Sequence, residues 1–207
     1  MCGICGIKGI ISEERNRYVN NMLETLSHRG PDEEGIYFDG DISLGVKRLS
    51  IIDLKTGSQP IFNEDKNIVL ICNGEIYNFY MLRENLIKKG HKFYTQTDIE
   101  VIVHLYEEFG SDCLKEFKGM FAFALWDKKK KLFFLARDRL GIKPLYYFNN
   151  NGVFAFASEP KALLRLPFIA KEINPIAVDL YFSLEYVPAP LTSFQDIFKL
   201  KPELYIL

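Results

Sequence analysis

The spacing of apolar residues along the chain predicts three substantial helices and a weaker one. Between Asn16 and Leu26, apolar side chains recur at intervals of three and four residues, which gives a helix one buried face. The same spacing predicts helices over Asn78–Lys89 and Asp98–Phe109, and the weaker one over Ile176–Ser183. Asp98 stands at the start of its helix, where a short carboxylate can cap free backbone N–H groups.

Short, nearly continuous apolar runs predict the strands. They are Cys5–Ile11, Gly35–Phe38, Ile42–Leu49, Ile68–Cys72, Met120–Trp126, Leu132–Ala136, Leu145–Phe148 and Val153–Ala157. The last four are separated by short polar or glycine-containing segments, a pattern typical of antiparallel hairpins. Apolar runs without alternation indicate strands that are covered on both faces. Two sheets covered by helices would bury these strands, so the sequence predicts a layered α+β fold in one domain.

Composition and charge exclude several classes of protein. The chain has 207 residues, of which 48% are hydrophobic and 26% charged, and its net charge is -1. This balance favours neither a nucleic-acid partner nor an anionic membrane partner. The longest apolar runs fall short of the roughly 20 residues that span a bilayer, and the N-terminus does not resemble a signal peptide. We therefore expect a cytoplasmic protein.

The four cysteines do not predict a disulfide framework or a metal site. Cys2, Cys5, Cys72 and Cys113 are too few and too scattered for a disulfide-stabilised fold. Cys2 and Cys5 have the spacing of half a zinc or redox site. A second pair of ligands is missing from the pattern, because the other two cysteines stand alone and the chain has only 3 histidines. We expect no metal.

Cys2 is a candidate nucleophile. Once Met1 is removed, Cys2 carries both a thiol and a free α-amine. An α-amine titrates near pH 8 in model peptides, so it can accept the thiol proton and make one residue both nucleophile and general base. Gly3 beside it allows a substrate to approach the backbone closely. A buried apolar cysteine is the alternative interpretation.

The pair Asn73-Gly74 has two interpretations. It follows an apolar run, and local considerations favour a hairpin turn. The alternative is an oxyanion hole, in which the Asn73 amide and the Gly74 N–H both point at a developing alkoxide while glycine supplies an unusual φ.

Arg48 also has a structural and a functional interpretation. An arginine among strand residues should be paired, because an unpaired charge there is costly. It either forms a salt bridge with Asp or Glu, or binds the α-carboxylate of a substrate in bidentate fashion. Asp98 is the natural counterpart for a substrate α-ammonium, in competition with its capping role.

Taken together, these stretches resemble the glutaminase domain of glutamine-hydrolysing asparagine synthetases. This domain is a class II glutamine amidotransferase of the N-terminal-nucleophile hydrolase type. The matching motifs are Met1–Ile4, His28–Asp32, Arg48–Ile51, Asn73–Asn78, Thr97–Ile102, Gly119–Ala124, Arg137–Asp138, Gly141–Tyr147 and Ser158–Leu163. They run in order through nearly the whole chain.

The resemblance implies a fold and a set of roles. The fold would be a four-layer αββα sandwich of two antiparallel sheets flanked by helices, covering residues 1–190. Cys2 would attack the side-chain amide of glutamine, giving a thioester and ammonia, and Asn73 and Gly74 would form the oxyanion hole. The residues implied to bind the substrate are Arg48, Ile51, Glu75 and Asp98. The glutaminase reaction itself would need no cofactor.

Residues 191–207 resemble the start of a junction to a second, ATP-dependent domain. The Ser-Gly-Gly-x-Asp-Ser loop of that domain does not occur in the sequence, and the family usually has Gly at the position of Glu203. ATP and Mg²⁺ would belong to this synthetase domain, which would act in cis or in trans and use the ammonia to make asparagine from aspartate. The sequence is also compatible with a homodimer. The alternative functions are a catalytically silent regulatory module and a stand-alone amidohydrolase of another substrate.

Overall fold

A computed structural model describes residues 1–10 and 14–206, whose strands form two antiparallel sheets. The strands are β1 Gly3–Lys8, β2 Glu33–Asp39, β3 Ile42–Arg48, β4 Ile61–Phe62, β5 Ile68–Ile76, β6 Gly119–Asp127, β7 Leu132–Arg137, β8 Tyr146–Asn150, β9 Val153–Ala157, β10 Phe198–Lys199 and β11 Tyr205–Ile206. One sheet has six strands in the order β10-β8-β9-β1-β3-β2, and the other has five in the order β11-β7-β6-β5-β4. The hairpins β6–β7 and β8–β9 confirm the antiparallel arrangement expected from the sequence.

Helices overlap all four segments in which the apolar periodicity predicts them, and a further, shorter helix was not predicted. They are α1 Glu14–Glu24, α2 Phe79–Lys88, α3 Val101–Phe109, α4 Pro160–Leu163 and α5 Pro175–Leu184, with 3-10 turns at Asp98–Glu100 and Gly110–Lys115. Among the described residues, no helix is long and apolar enough to cross a membrane.

Three hydrophobic cores separate four layers. One core packs β1, β8 and β9 against α1 and α4, and includes Cys5 and Ile7. The middle core lies between the two sheets, and the third packs the five-stranded sheet against α2 and α3. Successive side chains of a strand point to opposite faces. Thus Ile4 enters the middle core while Cys5 faces α1, and the αββα sandwich follows from this alternation.

Two predicted segments differ in detail from the structure. The predicted strand Cys5–Ile11 begins earlier, at Gly3, and ends at Lys8, and Ile11 lies outside the described residues. Residues 191–206, expected to begin a junction, add the short edge strands β10 and β11 to the two sheets. Leu207 is outside the described residues, and a domain boundary at residue 190 stays a prediction.

Candidate active site

The fold brings Cys2 and Asn73 together at one end of the space between the sheets. Cys2 lies two residues before Ile4, and Asn73 two residues after Ile71, and both of those apolar residues belong to the middle core. Since alternate residues of a strand share a face, Cys2 and Asn73 point toward the same space from opposite sheets. They line a cleft together with Met1, Leu49, Ile51, Ile52, Gln59, Cys72, Gly74, Glu75, Thr97, Asp98, Ile99 and Lys143.

Cys2 is the one cysteine of the four with a partly exposed thiol. Its Sγ accepts a hydrogen bond from Leu49 N at 3.4 Å, and its carbonyl oxygen accepts one from Arg29 Nε at 3.0 Å. Burial raises the pKa of the Cys113 thiol to about 12, and it also raises the pKa values of Cys5 and Cys72. Thiols that are buried in this way are poor nucleophiles, because the thiolate is the reactive form.

The Met1 side chain occupies part of the cleft. Its sulfur lies 3.5 Å from Lys143 Nζ, and Met1 lines the same space as Cys2. With Met1 attached, the nitrogen of Cys2 is an amide and cannot act as a base. Removal of Met1 would therefore create the α-amine and also enlarge the cleft.

Asn73 and Gly74 are strand residues, so the hairpin turn expected from local considerations is wrong. They lie within β5, with Ala122 and Phe121 of β6 as their partners. Asn73 is 1% exposed, and its Nδ2 has no hydrogen-bond partner among the described residues. An unpaired buried donor that faces a cleft is available to a ligand.

Close packing requires glycine at position 74. The prediction that Gly74 adopts an unusual φ is wrong. Gly74 is absent from the residues with positive φ, while a Cβ at this position would lie 2.7 Å from Met120 O and 2.8 Å from Phe121 Cβ. The N–H groups of Cys72 and Ile76, two residues to either side, donate to Gln59 Oε1 and Asp98 Oδ2, each at 2.7 Å.

These two contacts fix the direction of the Gly74 N–H. In an antiparallel strand, N–H groups two residues apart leave on the same side. The Gly74 N–H therefore points away from β6, to the part of the β5 edge that lies beyond the end of β4, where the cleft opens.

Arg48 is buried and paired with protein groups. It is 4% exposed, its Nη1 lies 2.7 Å from Glu33 Oε1, and its Nη2 donates to the carbonyl oxygens of Ile52 and Asp53 at 3.1 and 2.6 Å. These bonds hold the loop that carries Ile51 over the cleft. The structural interpretation of Arg48 thus accounts for its observed contacts, and its binding of a substrate carboxylate stays a prediction.

Glu75 and Asp98 form an acidic corner of the cleft. Among the ion pairs of the described residues, none involves either carboxylate. Asp98 is 3% exposed, and its burial is the main cause that raises the pKa of its carboxyl, with the charge of Glu75 adding to it. Asp98 Oδ2 accepts from Ile76 N in a neighbouring element, so the expected capping role is wrong.

Several residues that position the site had no assigned role in the sequence analysis. Arg29 links the Cys2 carbonyl to Glu159, with Nη1 2.9 Å from Glu159 Oε1. Gln59 binds both backbone groups of Cys72, donating to its oxygen at 3.0 Å and accepting from its nitrogen at 2.7 Å. Arg29 and Glu159 lie in motifs that carried the resemblance. Gln59 lies in no such motif, so the sequence around it did not indicate a role.

Comparison with known proteins shows the family to which the chain belongs. A family model described as a glutamine amidotransferase domain matches residues 1–207. A putative glutamine-hydrolyzing asparagine synthetase 2 of Methanocaldococcus jannaschii is 43% identical over 97% of this chain and 42% of its own length. The glutamine-hydrolyzing asparagine synthetase 1 of Bacillus subtilis is 38% identical over 98% of this chain and 32% of its own length. The chain therefore spans less than half the length of these relatives.

Solved structures share the fold. The glutamine phosphoribosylpyrophosphate amidotransferase from B. subtilis, solved with ADP and GMP, superposes with a TM-score of 0.66 at 25% identity. The match covers 78% of this chain and 43% of that one. An allosteric regulatory enzyme of purine biosynthesis gives a TM-score of 0.67 at 24% identity, over 79% of this chain and 43% of its own.

Proposed function

The chain belongs to the glutamine amidotransferase domain family, and we propose that it hydrolyses the side-chain amide of glutamine to glutamate and ammonia through a thioester on Cys2. The observation that carries the proposal is the meeting of a partly exposed thiol, an unpaired buried amide and an open backbone N–H in one cleft. These are the groups that acyl transfer requires: a nucleophile and two donors for the oxyanion.

The first step begins at the N-terminus. After Met1 is removed, the α-amine of Cys2 takes the thiol proton, and the sulfur attacks the amide carbon of glutamine. The Arg29 contact to the Cys2 carbonyl and the Leu49 contact to its sulfur hold the residue in one orientation for this attack. The protonated amine then delivers a proton to the leaving nitrogen. The C–N bond breaks, and ammonia and a thioester result.

The oxyanion of each tetrahedral intermediate is bound by Asn73 Nδ2 and Gly74 N–H. The backbone that carries both donors is fixed before the substrate arrives, because β5 pairs with β6 on one side, while Gln59 and Asp98 bind the flanking N–H groups. Donors that need no rearrangement stabilise developing charge most effectively. Water then attacks the thioester carbonyl, with the amine of Cys2 as the base, and releases glutamate and the free thiol.

The amino-acid end of glutamine is held by the acidic corner and the loop opposite it. Glu75 and Asp98 bind the α-ammonium, which would give an ion-pair partner to two carboxylates that have none among the described residues. Ile51, which is 63% exposed at the rim, covers the substrate chain. Arg48 supplies the positive charge for the α-carboxylate, and the bonds of its Nη2 to the backbone of Ile52 and Asp53 fix the loop.

The ammonia is consumed by an ATP-dependent synthetase domain in cis or in trans, which makes asparagine from aspartate. This part of the proposal is supported by two relatives that are named glutamine-hydrolyzing asparagine synthetases and are much longer than this chain. The glutaminase half needs only groups of the protein and water, so ATP and Mg²⁺ belong to the synthetase half. We also place the reaction in the cytoplasm, where the four free thiols would stay reduced.

Covalent labelling tests the glutaminase proposal. The purified chain is treated with 6-diazo-5-oxo-norleucine, an electrophilic glutamine mimic, and its intact mass and peptide map are recorded. We expect loss of Met1 and one adduct on Cys2, and protection by glutamine. The Cys2→Ala variant should fold, bind no label and release no ammonia from glutamine.

The remaining cysteines provide an internal control for this labelling. Cys5, Cys72 and Cys113 are buried and should stay unmodified. An adduct on any of them, or turnover by Cys2→Ala, would show that the nucleophile lies elsewhere. Complete removal of Met1 without any adduct would favour the catalytically silent module.

A further inference from the structure

Two histidines and two glutamates converge outside the cleft, beside α3. Glu64 lies in the turn between β4 and β5, His91 follows α2, and His104 and Glu107 stand three positions apart on α3. One potential ligand atom from each residue lies within 4.8 Å of the other three. None of the four residues lines the cleft that contains Cys2.

Four nitrogen–oxygen separations in the cluster, which involve both oxygens of Glu64, match those between ligands around one small cation. His91 Nδ1 lies 3.4 Å from Glu64 Oε1 and 3.6 Å from Glu107 Oε2. His104 Nδ1 lies 3.5 Å from Glu64 Oε2 and 3.3 Å from Glu107 Oε2. Tetrahedral Zn²⁺ with bonds of about 2.0–2.2 Å to nitrogen and oxygen places neighbouring ligand atoms roughly 3.3–3.6 Å apart.

The same distances are long for hydrogen-bonded ion pairs. A protonated imidazole bonded to a carboxylate normally has a nitrogen–oxygen distance of about 2.7–2.9 Å. Moreover, each Nδ1 faces both carboxylates at similar distances, although the one proton on Nδ1 serves one acceptor well. A cation between the four groups would satisfy both nitrogens and both carboxylates at once.

A carboxylate also lies near the second nitrogen of each histidine, although beyond hydrogen-bond distance for His104. A metal-bound imidazole usually presents its other nitrogen to a carboxylate or carbonyl. Here His91 Nε2 lies 3.3 Å from Glu108 Oε1, and His104 Nε2 lies 3.7 Å from Glu100 Oε1. His104 is fully buried, and its Nε2 has no hydrogen-bond partner within the described part of the chain.

The two carboxylate ligands are also held by neighbouring groups. Asn63 Nδ2 donates to Glu107 Oε1 at 2.7 Å, and Lys92 N donates to Glu64 Oε1 at 2.8 Å. Each of these bonds fixes the direction of a carboxylate toward the histidines. Such outer contacts orient ligands before a metal binds.

We propose that Glu64, His91, His104 and Glu107 bind one Zn²⁺ ion in a closed tetrahedral site. Four protein ligands leave no position for a substrate, so the role of the ion is structural. Two imidazoles suit zinc better than Mg²⁺ or Ca²⁺, which take oxygen ligands in larger number. The ion would join the β4–β5 turn to α3 and to the segment that leads from His91 to Asp98. The spacing of residues in the sequence did not predict this site, because its ligands come from three separate segments.

Zinc titration of the chelator-treated protein tests the site. The protein carries no affinity tag, and Cys2→Ala is used beside the wild type because an N-terminal cysteine can itself chelate Zn²⁺. Calorimetry should give one equivalent in Cys2→Ala, and Co²⁺ in its place should give the visible absorption of a tetrahedral ion. Zn²⁺ should also raise the Tm, since a ligand of the folded state stabilises it.

Substitutions distinguish the proposed zinc ligands from residues that do not bind the ion. In the Cys2→Ala background, His91→Asn and Glu107→Gln should each weaken zinc binding by at least about 10²-fold and remove the Tm increase. Both residues lie near the surface, so these variants should fold even if the buried His104→Ala does not. His28→Asn changes the third histidine, which pairs with Glu159, and should bind zinc like its parent. Absence of a zinc equivalent in Cys2→Ala, or unchanged affinity in His91→Asn, would overturn the proposal.

Discussion

At the scale of single residues, the cleft is defined by groups whose partners are partly missing within the protein. Asn73 Nδ2 is buried and unpaired among the described residues, and two carboxylates face the same space without an ion pair to any residue in that part of the chain. Leaving such groups unpaired costs stability, commonly about 1–3 kcal/mol for a buried polar group. A protein keeps such a cost where a ligand supplies the missing partner.

Asn73→Ala should lower kcat for glutamine hydrolysis by roughly 10²–10³, as the loss of one oxyanion donor typically does. KM should change little, because this contact strengthens only when charge develops on the oxygen. Steady-state ammonia release measures both constants. Asn78→Ala is the matched control, since the Asn78 side chain bonds to backbone groups of Glu116 and Lys118, which do not line the cleft. A change confined to KM would contradict the oxyanion role.

Glu159 should make stability depend on acid pH. Burial opposes its ionisation, yet Arg29, Lys161 and His28 together lower its pKa from 4.5 to about 2. A carboxyl with a lowered folded-state pKa stabilises the fold above the unfolded value and loses that contribution as pH falls. The free energy of unfolding should therefore fall between pH 4.5 and about pH 2. Urea titrations should show a smaller fall for Glu159→Gln, while Glu14→Gln, in an exposed ion pair with Arg17, should behave as wild type.

At the scale of elements, the long pairing of β5 with β6 places the oxyanion donors. The register of the two strands runs without interruption from Ile68 opposite Asp127 to Ile76 opposite Gly119. The short β4 covers only the first part of β5, so the second part keeps an open edge. The open edge of β5 thus supplies the backbone donor, the Gly74 N–H. The inner face of the same strand supplies the side-chain donor, Asn73 Nδ2.

Gly74→Ala should destabilise the protein by roughly 1–3 kcal/mol, the usual cost of overpacking. The added methyl group would meet Met120 O and Phe121 Cβ at 2.7 and 2.8 Å, and backbone on both strands resists the required shift. Thermal or urea unfolding measures the change. At Gly40 a Cβ meets nothing within 4 Å, and Asn tolerates its φ of +52°, so Gly40→Asn should cost much less. Equal losses in the two variants would argue against a packing cause.

The elements were predictable from the sequence where apolar periodicity was long and regular. The helices α1, α2 and α3 and the hairpins β6–β7 and β8–β9 fall in the predicted segments. The strand β5 was predicted too short, because Asn73 and Gly74 have low strand propensity and are typical of turns. Tertiary pairing with β6 overrides this local preference. The two-residue strand β4 is too short for any periodic signal.

The candidate site was only partly predictable, for a related reason. Cys2 and Asp98 lie in the cleft, as the resemblance implied, and so do Asn73 and Glu75. The contact of Arg48 with Glu33 follows from the pairing of β2 with β3, but its contacts with the backbone of Ile52 and Asp53 depend on how a loop folds back, and no spacing in the sequence encodes that. The same holds for Gln59, which acts as a partner of β5 although it lies outside the regular strands.

At the scale of the whole molecule, the core between the sheets holds the two halves of the cleft in register. Cys2 is attached to the six-stranded sheet and Asn73 to the five-stranded one, so their separation depends on how the sheets dock. The single tryptophan, Trp126, lies in this core at 4% exposure, and its Nε1 donates across the sheets to Asp39 Oδ2 at 2.8 Å. Tryptophan fluorescence therefore reports directly on sheet docking.

Leu44→Ala should destabilise the protein by about 2–5 kcal/mol and shift the fluorescence and circular-dichroism transitions together. Leu44 is fully buried in the core between the sheets. Denaturant unfolding followed by both signals provides the measurement. Leu184→Ala on α5, where the leucine is 46% exposed, should stay within about 0.5 kcal/mol of wild type. A fluorescence transition that precedes the loss of secondary structure would show that the sheets separate before they unfold.

The central position of β1 has a consequence for synthesis on the ribosome. The first strand to be translated lies between β3 and β9, and Ser158 closes the pairing with bonds to both backbone groups of Ile4 at 2.8 and 2.9 Å. At about 5–20 residues per second, the nascent N-terminus waits roughly 10–30 s for this last partner. During that interval the pairing of β1 is incomplete. The segment that carries the nucleophile therefore reaches its final place in the sheet only after β9, its second neighbour, has been synthesised.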